Sequence, residues 1–357
     1  MNLYHTGLSE LYREIEALGD PLTGISDRID FERIRPILSS LHENDTEKGG
    51  RPNYDPVLMV KILLLQQWYS LSDPQIEREI RDRISFMNFL GYPEKLPDRN
   101  TIWYFRERLS KTGKDRLVFN EIRDQIMAKR IRIRKGTMQD ASFIEPDRGE
   151  YGKSRGDDAK TRRSRDGSSA TKNHGHHFGY RAHTLVNEIK IVEKLSVTPA
   201  NAHDSRIDLS LPGIVCYRDK GYFGSGCKGI NGTMDRAVRG HPLPVKSIRR
   251  NLRISRIRSA VEHRYAFFKG MFHFFHVMVT TVQRVRVKTY FTAMCYNLVR
   301  ARFLGRIKQT MDIRKNNSEN NDGITSNMVN LRQYYLNQAF NQPKYQRMGV
   351  FGISRII

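Results

Sequence analysis

Three acidic residues, Asp140, Asp219 and Glu262, stand where a folded chain could bring carboxylates together. Asp140 lies within a predicted strand, Asp219 follows another, and Glu262 lies at the edge of a predicted helix. Three converging carboxylates repel one another unless cations lie between them, and such hard oxygen ligands suit Mg²⁺ or Mn²⁺. Two such ions can activate a water or a 3′-hydroxyl and stabilise the leaving oxygen of an in-line displacement at phosphorus.

The helix predicted from Ile254 to Phe275 gives Glu262 its neighbours. At about 100° per residue, Arg258, Glu262 and Lys269 fall within roughly 40° of one another. The adjoining apolar stripe consists of Ile254, Ile257, Val261, Tyr265 and Phe268. Spacing alone leaves plainer interpretations open, because a strand Asp is often a turn or surface residue. Arg258 and Glu262 could equally form an ordinary i,i+4 ion pair, worth about 0.2–0.5 kcal/mol.

Residues 51–128 have the pattern of a helical domain, preceded by an N-terminal extension over residues 1–50. Pro56 is predicted to begin a first helix, Ser72 or Asp73 to cap a second, and Asp98 or Asn100 to cap a third. Inward residues are predicted to be Val57, Val60, Leu64 and Trp68, then Ile76, Ile80, Ile84 and Met87, then Ile102, Phe105 and Leu109, with Trp103 also in the core. Two interpretations of this domain remain open: a DNA reader that uses Arg99, Arg106 and Arg108, or a platform for packing or dimerisation.

Residues 129–305 are predicted to form an α/β domain. Its elements are strands at Thr137–Ile144, Phe178–Val186, Ile189–Val197 and Gly213–Arg218, a helix at Ala202–Leu211, a short strand at Met234–Val238 and the helix of Glu262. A basic loop is predicted over residues 145–174 and a polar, loosely packed or disordered tail over 306–357. The predicted fold is therefore a ribonuclease H-like mixed sheet with flanking helices, after an all-α N-terminal domain.

The charge of the chain indicates a polyanionic partner. Lys and Arg total 61 against 38 Asp and Glu, a formal net charge of +23. Nucleic acid is the simplest partner because phosphate contacts release counterions. The longest apolar run, Val57 to Leu65, is far too short to span a bilayer, and three unpaired cysteines favour a reducing cytoplasm. We therefore expect a cytoplasmic, nucleoid-associated protein with no membrane segment.

Three sequence runs resemble the catalytic blocks of DDE transposases of the insertion sequence five group, in that group's order. They are MQDASFIEPD around Asp140, YRDKGYFG around Asp219 and RISRIRSAVEHRYAFFK around Glu262. The last run is similar to the superfamily pattern in which an Arg precedes the catalytic Glu by four residues and a Lys follows it by seven, although Ser255 replaces the Tyr that often opens it. Connecting segments, such as RPNYDPVLMVKILLLQQWYSLSD, extend the resemblance from Arg51 to Arg302.

The resemblance implies a transposase that cuts the terminal inverted repeats of an insertion sequence and joins the 3′-hydroxyls to target DNA, as a homodimer or larger assembly on paired ends. It implies that Asp140, Asp219 and Glu262 bind two Mg²⁺ ions, with Mn²⁺ as a substitute. Predicted DNA contacts are Arg258, Lys269, Lys220 and, in the TRRSRDG run, Arg162, Arg163 and Arg165. Arg181 and Asn187 depart from the group's usual Lys and Asp. A catalytically dead repressor and a metal-dependent nuclease on the same fold remain alternatives.

Five histidines form a second cluster of potential metal ligands: His174, His176, His177, His183 and His203. No cysteine lies at ligand spacing, so zinc is the weaker interpretation and solvated or phosphate-facing side chains are preferred. The TRRSRDG run is basic enough to follow a DNA backbone, and a solvated loop is the other interpretation.

Overall fold

The structure is a computed structural model that describes residues 3–41, 52–128, 136–146, 166–172, 175–279 and 281–319. Described residues up to Phe303 belong to one compact unit, and those from Leu304 onward to a second. No helix in these ranges combines the length and hydropathy needed to cross a bilayer.

The described part of residues 1–128 is helical, as predicted for residues 51–128. Its helices are α1 (Leu3–Ala17), α2 (Arg35–Leu38), α3 (Pro56–Trp68), α4 (Asp73–Asp82), α5 (Ile84–Leu90), α6 (Arg99–Thr112) and α7 (Lys114–Ala128). Asp55 and Asp98 accept backbone N–H groups at the starts of α3 and α6, and Gln75 closes a capping box with Ser72 at α4. Helix α3 is buried on nearly every side, and α2 packs into the same apolar core.

The second predicted helix is broken at Arg83, whose backbone is extended (φ −91°, ψ 119°). The Arg83 guanidinium lies over the rings of Tyr69 and Phe86, at 5.4 and 5.0 Å from their centroids. Because α5 starts after this break, its inward face is displaced. The buried residues of α5 are Phe86, Phe89 and Leu90, so the prediction of a buried Ile84 and Met87 is wrong.

Two residues of α6 bear on what was predicted for this helix. Trp103 is 37% exposed and lies edge-on to Tyr104, because Ile102 and its neighbours one turn on occupy the inward face. Its assignment to the core is therefore wrong. Arg106 donates to both carboxylate oxygens of Asp73 at 2.8 Å and so links α6 to α4 instead of facing solvent.

The sheet is centred on β1 (Thr137–Pro146), which carries Asp140. Its further strands are β2 (Ser168–Lys172), β3 (Gly175–Asn187), β4 (Val192–Pro199), β5 (Val215–Arg218), β6 (Ile230–Thr233) and β7 (His276–Val277). Strand β3 is antiparallel to β1, and β4 is antiparallel to β3. On the other side of β1, β5 is parallel to β1 and β6 is parallel to β5. Four predicted strands are confirmed with shifted ends.

The predicted loop at residues 145–174 is shorter than expected. Residues 168–172 form β2, which pairs with Gly175–Gly179 of β3, and residues 145 and 146 end β1. The prediction of a continuous loop is wrong at both ends, because the polar side chains of this run do not prevent backbone pairing along a sheet edge. Residues 147–165, which include Arg162, Arg163 and Arg165, lie outside the described residues.

Two shorter elements after β4 were also misplaced. The helix predicted at Ala202–Leu211 is wrong: only Asp204–Arg206 form a turn of 3₁₀ helix. The buried Gln139 side chain accepts from the Leu209 N–H and donates to the Ile207 carbonyl, which replaces the partners that helix bonds would supply. The strand predicted at Met234–Val238 is found at β6 instead, where hydrogen bonding to β5 is available.

Two long helices complete the fold: α8 (Val245–Phe272) and α9 (Val282–Glu319). Helix α8 starts nine residues before the predicted start; Ile254 and Phe268 are buried as predicted, whereas Ile257 is 39% exposed. Within the first unit, α9 joins the helical region to the sheet: Asn297 bonds both backbone groups of Val192, and Cys295 donates to the Leu64 carbonyl. Residues 308–319 are helical, so of the two predicted alternatives for the tail, loosely packed or disordered, the second is wrong there; residues 320–357 lie outside the described part.

Candidate active site

Asp140 and Asp219 occupy equivalent places on neighbouring parallel strands. Met138 and Tyr217 form the last pair between β1 and β5. Each aspartate lies two residues beyond that pair, Asp140 within β1 and Asp219 directly after β5, and adjacent strands are about 4.8 Å apart. Both carboxylates are partly buried. The register therefore brings two of the three predicted acidic residues to one place, at the carboxyl end of β5.

Asp219 is fixed by its own backbone turn. Its Oδ1 accepts a hydrogen bond of 2.9 Å from the Gly221 N–H, where the chain turns into 3₁₀ helix Lys220–Tyr222. A Cβ at position 221 would lie 3.0 Å from that oxygen, so a larger residue would crowd the carboxylate. The glycine in the DKGY run thus keeps the Asp219 carboxylate in this orientation, with its other oxygen outside this bond.

Arg218, directly before Asp219, is fully buried, and sequence reasoning missed it. Its guanidinium donates to Thr233 Oγ1 at 3.0 Å, to the Gly226 carbonyl at 2.9 Å and to Asn231 Oδ1 at 3.3 Å. These bonds join the end of β5 to β6 and to the turn after Asp219. A buried guanidinium is stable only when its donors are paired, so Arg218 fixes the position of Asp219.

Helix α8 reaches Asp140 through two side chains. Arg258 Nη2 lies 3.5 Å from Asp140 Oδ1, and both side chains are largely buried. Tyr265 Oη lies 3.1 Å from the Asp140 carbonyl oxygen, 3.0 Å from the Ala182 carbonyl oxygen and 3.0 Å from Thr184 Oγ1. The hydroxyl of Tyr265 therefore holds α8 against β1 and β3 at Asp140, a role that its place in an apolar stripe did not indicate.

The other predicted site residues differ in where the structure places them. Glu262 lies on α8 between Arg258 and Tyr265, and its side chain is outside the described part. Lys269 is exposed on α8, and Lys220 is exposed directly after Asp219. Arg258, predicted to contact DNA, faces Asp140 instead of open solvent. The structure thus brings together Asp140, Asp219 and Arg258.

Three buried polar atoms in the described part of the chain have no hydrogen-bond partner, and one of them belongs to Arg258, which contacts Asp140. Among the described residues, His183 Nδ1, Tyr222 Oη and Arg258 Nε are buried and accept or donate no hydrogen bond. Burial raises the pKa of Tyr222, and the charges of Asp204, Asp140 and Asp219 raise it further. The phenol is thus neutral, and the charges of both aspartates act on it; no sequence pattern had singled it out.

The donor set fits a hard divalent cation. Two carboxylates with nearby polar groups suit the oxygen coordination and retained waters of Mg²⁺. Unsatisfied buried donors are expected where water or phosphate oxygens complete a site. No group of three potential metal ligands occurs among the side chains that the structure describes. The side chain of Glu262 is not one of these, so a site that includes it is not tested. Asp140 and Asp219 are therefore the described part of a candidate metal centre.

His183 differs from the solvated histidine that the sequence suggested. It is fully buried on β3, and its Nε2 lies 2.9 Å from Thr198 Oγ1. Burial lowers its pKa from 6.5 to about 4, against the opposing charge of Asp204 at 3.8 Å from Nδ1. The Asp204 carboxylate is also paired with Arg181 at 2.7 Å, so its charge does not cancel the effect of burial on the pKa of His183. His183 is therefore a neutral core residue at physiological pH.

This burial predicts a pH dependence of stability. The unfolded chain binds a proton at His183 below pH 6.5, whereas the folded protein binds it only near pH 4. The free energy of unfolding should therefore fall by about 3 kcal/mol as the pH drops from 6.5 to 4. Urea unfolding across this range should show a flatter profile for His183→Gln, whereas His241→Gln, at an exposed histidine, should keep the wild-type slope. Equal slopes for His183→Gln and wild type would contradict the assignment.

Two family models match the chain. The model described as Transposase domain (DUF772) matches residues 9–108, and the model described as Transposase DDE domain matches residues 140–298. The second match begins at Asp140 and includes Asp219, Glu262 and the first part of α9. No solved structure matches the chain significantly. The chain therefore contains a transposase DDE domain, and the two matches support its being a DDE transposase.

Proposed function

We propose that this protein is a transposase of the insertion sequence five group that cleaves the ends of its element and joins the 3′-hydroxyls to target DNA. The observation that carries the proposal is the place of Asp140 and Asp219, each two residues beyond the Met138–Tyr217 pair of β1 and β5, in a segment that matches the Transposase DDE domain. The substrates are the terminal inverted repeats and a target duplex. The protein would act on paired ends as a homodimer or larger assembly, in association with the nucleoid.

The order and directions of the strands support a ribonuclease H-like fold for the domain. Leaving out β2 and β7, the order across the sheet is β4, β3, β1, β5, β6. Strand β3 is antiparallel to β1 and β4, whereas β5 and β6 are parallel to β1. Such a sheet places the ends of β1 and β5 beside each other, and helix α8 then crosses near both ends. This arrangement suits a site formed by two strands and one helix.

Glu262 is proposed as the third ligand because of its two anchored neighbours. Arg258 precedes it by four residues and Tyr265 follows it by three, and both contact Asp140. At about 100° per residue, Glu262 lies within roughly 60° of each around α8. The helix face that carries Glu262 is therefore the face turned towards Asp140. Two Mg²⁺ ions held by the three carboxylates would activate the attacking oxygen and stabilise the leaving oxygen.

The remaining residues bind the substrate or hold the carboxylates in position. Arg258 compensates the charge of Asp140, which keeps the carboxylates close together when no cation lies between them. Exposed Lys269 and Lys220 flank the site from α8 and from the turn after β5, where each could contact a phosphate of the cleaved strand. Tyr265 and Arg218 act through the backbone, since they hold Asp140 and Asp219 in register.

DNA affinity should depend steeply on salt, because a net charge of +23 acts mainly through phosphates. We expect the logarithm of the association constant to fall linearly with the logarithm of the salt concentration, with a slope of about −0.9 for each phosphate contacted. Fluorescence anisotropy of a labelled duplex between low and physiological salt measures this slope. A binding constant that does not respond to salt would rule out the basic surface as the DNA site.

Lys269 should contribute to binding of the cleaved end. Lys269 lies on the same face of α8 as Glu262. It follows Glu262 by seven residues, which is about 10 Å along the helix axis. Replacing Lys269 by Ala should weaken end binding and reduce the magnitude of the salt slope by about 0.9, without a change in thermal stability. Lys111→Ala, at an exposed lysine of α6, is the matched control. Native joining by Lys269→Ala, or its failure to fold, would assign the residue another role.

Detection of joined DNA tests the proposed function against its alternatives. Purified protein is incubated with Mg²⁺, a labelled duplex from the DNA that flanks its coding region, and a circular target plasmid. We expect end strands covalently joined to the plasmid, and sequencing of the junctions should show the 3′ end of the end strand attached to target DNA. Nicked products without junctions would indicate a nuclease, and binding without either product would indicate a repressor.

A further inference from the structure

A second basic surface lies on α8, away from the candidate active site. Between Arg236 and Val261 the sequence contains eight Lys or Arg residues and neither Asp nor Glu: Arg236, Arg239, Lys246, Arg249, Arg250, Arg253, Arg256 and Arg258. Arg250 pairs with Asp235 and Arg258 with Asp140. Within the described residues, the other six show no ion pair, and all six are exposed.

Four of these residues form one line along α8, called here the outer basic stripe: Lys246, Arg249, Arg253 and Arg256. Their spacing of three, four and three residues keeps them within roughly 80° around the helix and extends over about 15 Å of its length. Steps of about 5 Å between charges match the scale on which a DNA backbone presents phosphates, one every 3.4 Å of helix axis per strand.

The outer basic stripe and the candidate active site lie on opposite sides of α8. Arg258, which contacts Asp140, is roughly 120–180° around the helix from every member of the stripe, and the same holds for the backbone position of Glu262. Ile254, by contrast, is buried against the body of the protein. A strand seated at Asp140 would therefore not contact the stripe on the same stretch of helix.

We propose that the outer basic stripe binds a second DNA duplex, the target that receives the cleaved ends, through sequence-independent phosphate contacts. The inference rests on the proposed function for its partner and goes beyond it in assigning the target a surface. Charge complementarity favours DNA over a second copy of this chain, because a two-fold contact would set one stripe of four cations against another. Exposed Val245, Ile248 and Leu252 run beside the stripe, where apolar side chains can enter a minor groove.

The first test is binding to a random-sequence duplex of about 30 base pairs, measured by fluorescence anisotropy at several salt concentrations. The stripe variant replaces Lys246, Arg249, Arg253 and Arg256 by Gln. Its control replaces four exposed cations scattered over α1, the α5–α6 loop, α6 and α7: Arg13, Lys95, Lys111 and Arg116. We expect the stripe variant to lose about 3 to 4 units of salt slope and at least about tenfold in affinity relative to the control. Equal loss in both variants overturns the proposal.

The second test separates target from end. Joining to plasmid is measured against plasmid concentration, and nicking of the end duplex is measured in parallel. We expect the stripe variant to raise the half-saturating plasmid concentration at least about tenfold, with nicking at the level of the control. If nicking falls as much as joining, the stripe holds the cleaved end and the proposal is wrong.

Two half-stripe variants keep the test valid if the fourfold variant does not fold. One combines Lys246→Gln with Arg249→Gln, and the other combines Arg253→Gln with Arg256→Gln. Each should show about half the loss of salt slope. Wild-type protein that nicks and joins without salt-dependent duplex binding would overturn this inference alone, whereas absence of joining would overturn the proposed function.

Discussion

Replacing Asp219 by Asn should lower strand cleavage by at least about a thousandfold, which corresponds to about 4 kcal/mol of barrier. The substitution keeps the shape of the side chain and the oxygen that accepts the Gly221 N–H, so the turn after β5 should remain intact. It removes one of the two carboxylate charges at the ends of β1 and β5, and the proposed cation binding would depend on that charge. Duplex binding should remain at least as strong as in wild type, because the variant carries one negative charge fewer.

Asp82→Asn is the matched control for this prediction. Asp82 is exposed at the end of α4, and its substitution makes the same chemical and net-charge change far along the chain from β1 and β5. The control should cleave at the wild-type rate. Cleavage by Asp219→Asn at that rate would remove Asp219 from the site. If circular dichroism shows that Asp219→Asn does not fold, Asp219→Glu, which retains the charge, is measured in its place.

Replacing Arg286 by Met should reduce the free energy of unfolding by about 3–5 kcal/mol at neutral pH. Arg286 Nε lies 2.9 Å from Asp115 Oδ2, its Nη2 donates to the Ser110 carbonyl, and Asp115 is fully buried. Burial raises the pKa of Asp115 even with Arg286 present. Without the guanidinium the charged form would be strongly disfavoured, so the loss should shrink as the pH falls and Asp115 becomes protonated. Urea unfolding at two pH values measures both effects.

An exposed ion pair provides the comparison. Arg35 pairs with Glu32 and Asp55 at the surface, where such contacts contribute at most about 1 kcal/mol, so Arg35→Met should be nearly neutral. The double variant Arg286→Met with Asp115→Asn should recover part of the stability, because no buried charge remains. A loss for Arg286→Met as small as that for Arg35→Met would show that α9 does not depend on this pair.

The sequence predicted the elements whose residues follow a regular period or carry caps. Pro56, Ser72 and Asp98 located three helix starts, and the strands predicted at Thr137–Ile144, Phe178–Val186 and Gly213–Arg218 correspond to β1, β3 and β5. Errors occurred where a tertiary contact replaces a local one. Gln139 takes the backbone partners that would have supported a helix at Ala202–Leu211, and hydrogen bonding to β5 selects Ile230–Thr233 for β6. Neither partner is near in sequence, so no local pattern contains this information.

In the candidate site, too, the sequence identified some residues, whereas the roles of others depend on tertiary contacts. Asp140 and Asp219 could be identified because strand ends and a resemblance to known blocks indicated them. Tyr265 was assigned to the apolar stripe since its ring is apolar, but its hydroxyl contacts two strands at Asp140. Arg218 was missed because a charged residue in a strand usually faces solvent, whereas Thr233, Asn231 and Gly226 provide partners that only the folded sheet assembles.

Iron-mediated cleavage of the polypeptide tests most directly whether Asp140, Asp219 and Glu262 hold the same cations. Fe²⁺ replaces Mg²⁺ in the wild-type protein, ascorbate and peroxide generate hydroxyl radicals at the bound ion, and mass spectrometry locates the cuts. We predict cuts close to residues 140, 219 and 262, suppression by excess Mg²⁺, and loss of all three in Asp219→Asn. Cuts confined to other segments, or cuts near Asp140 and Asp219 with none near Glu262, would contradict a site shared by the three carboxylates.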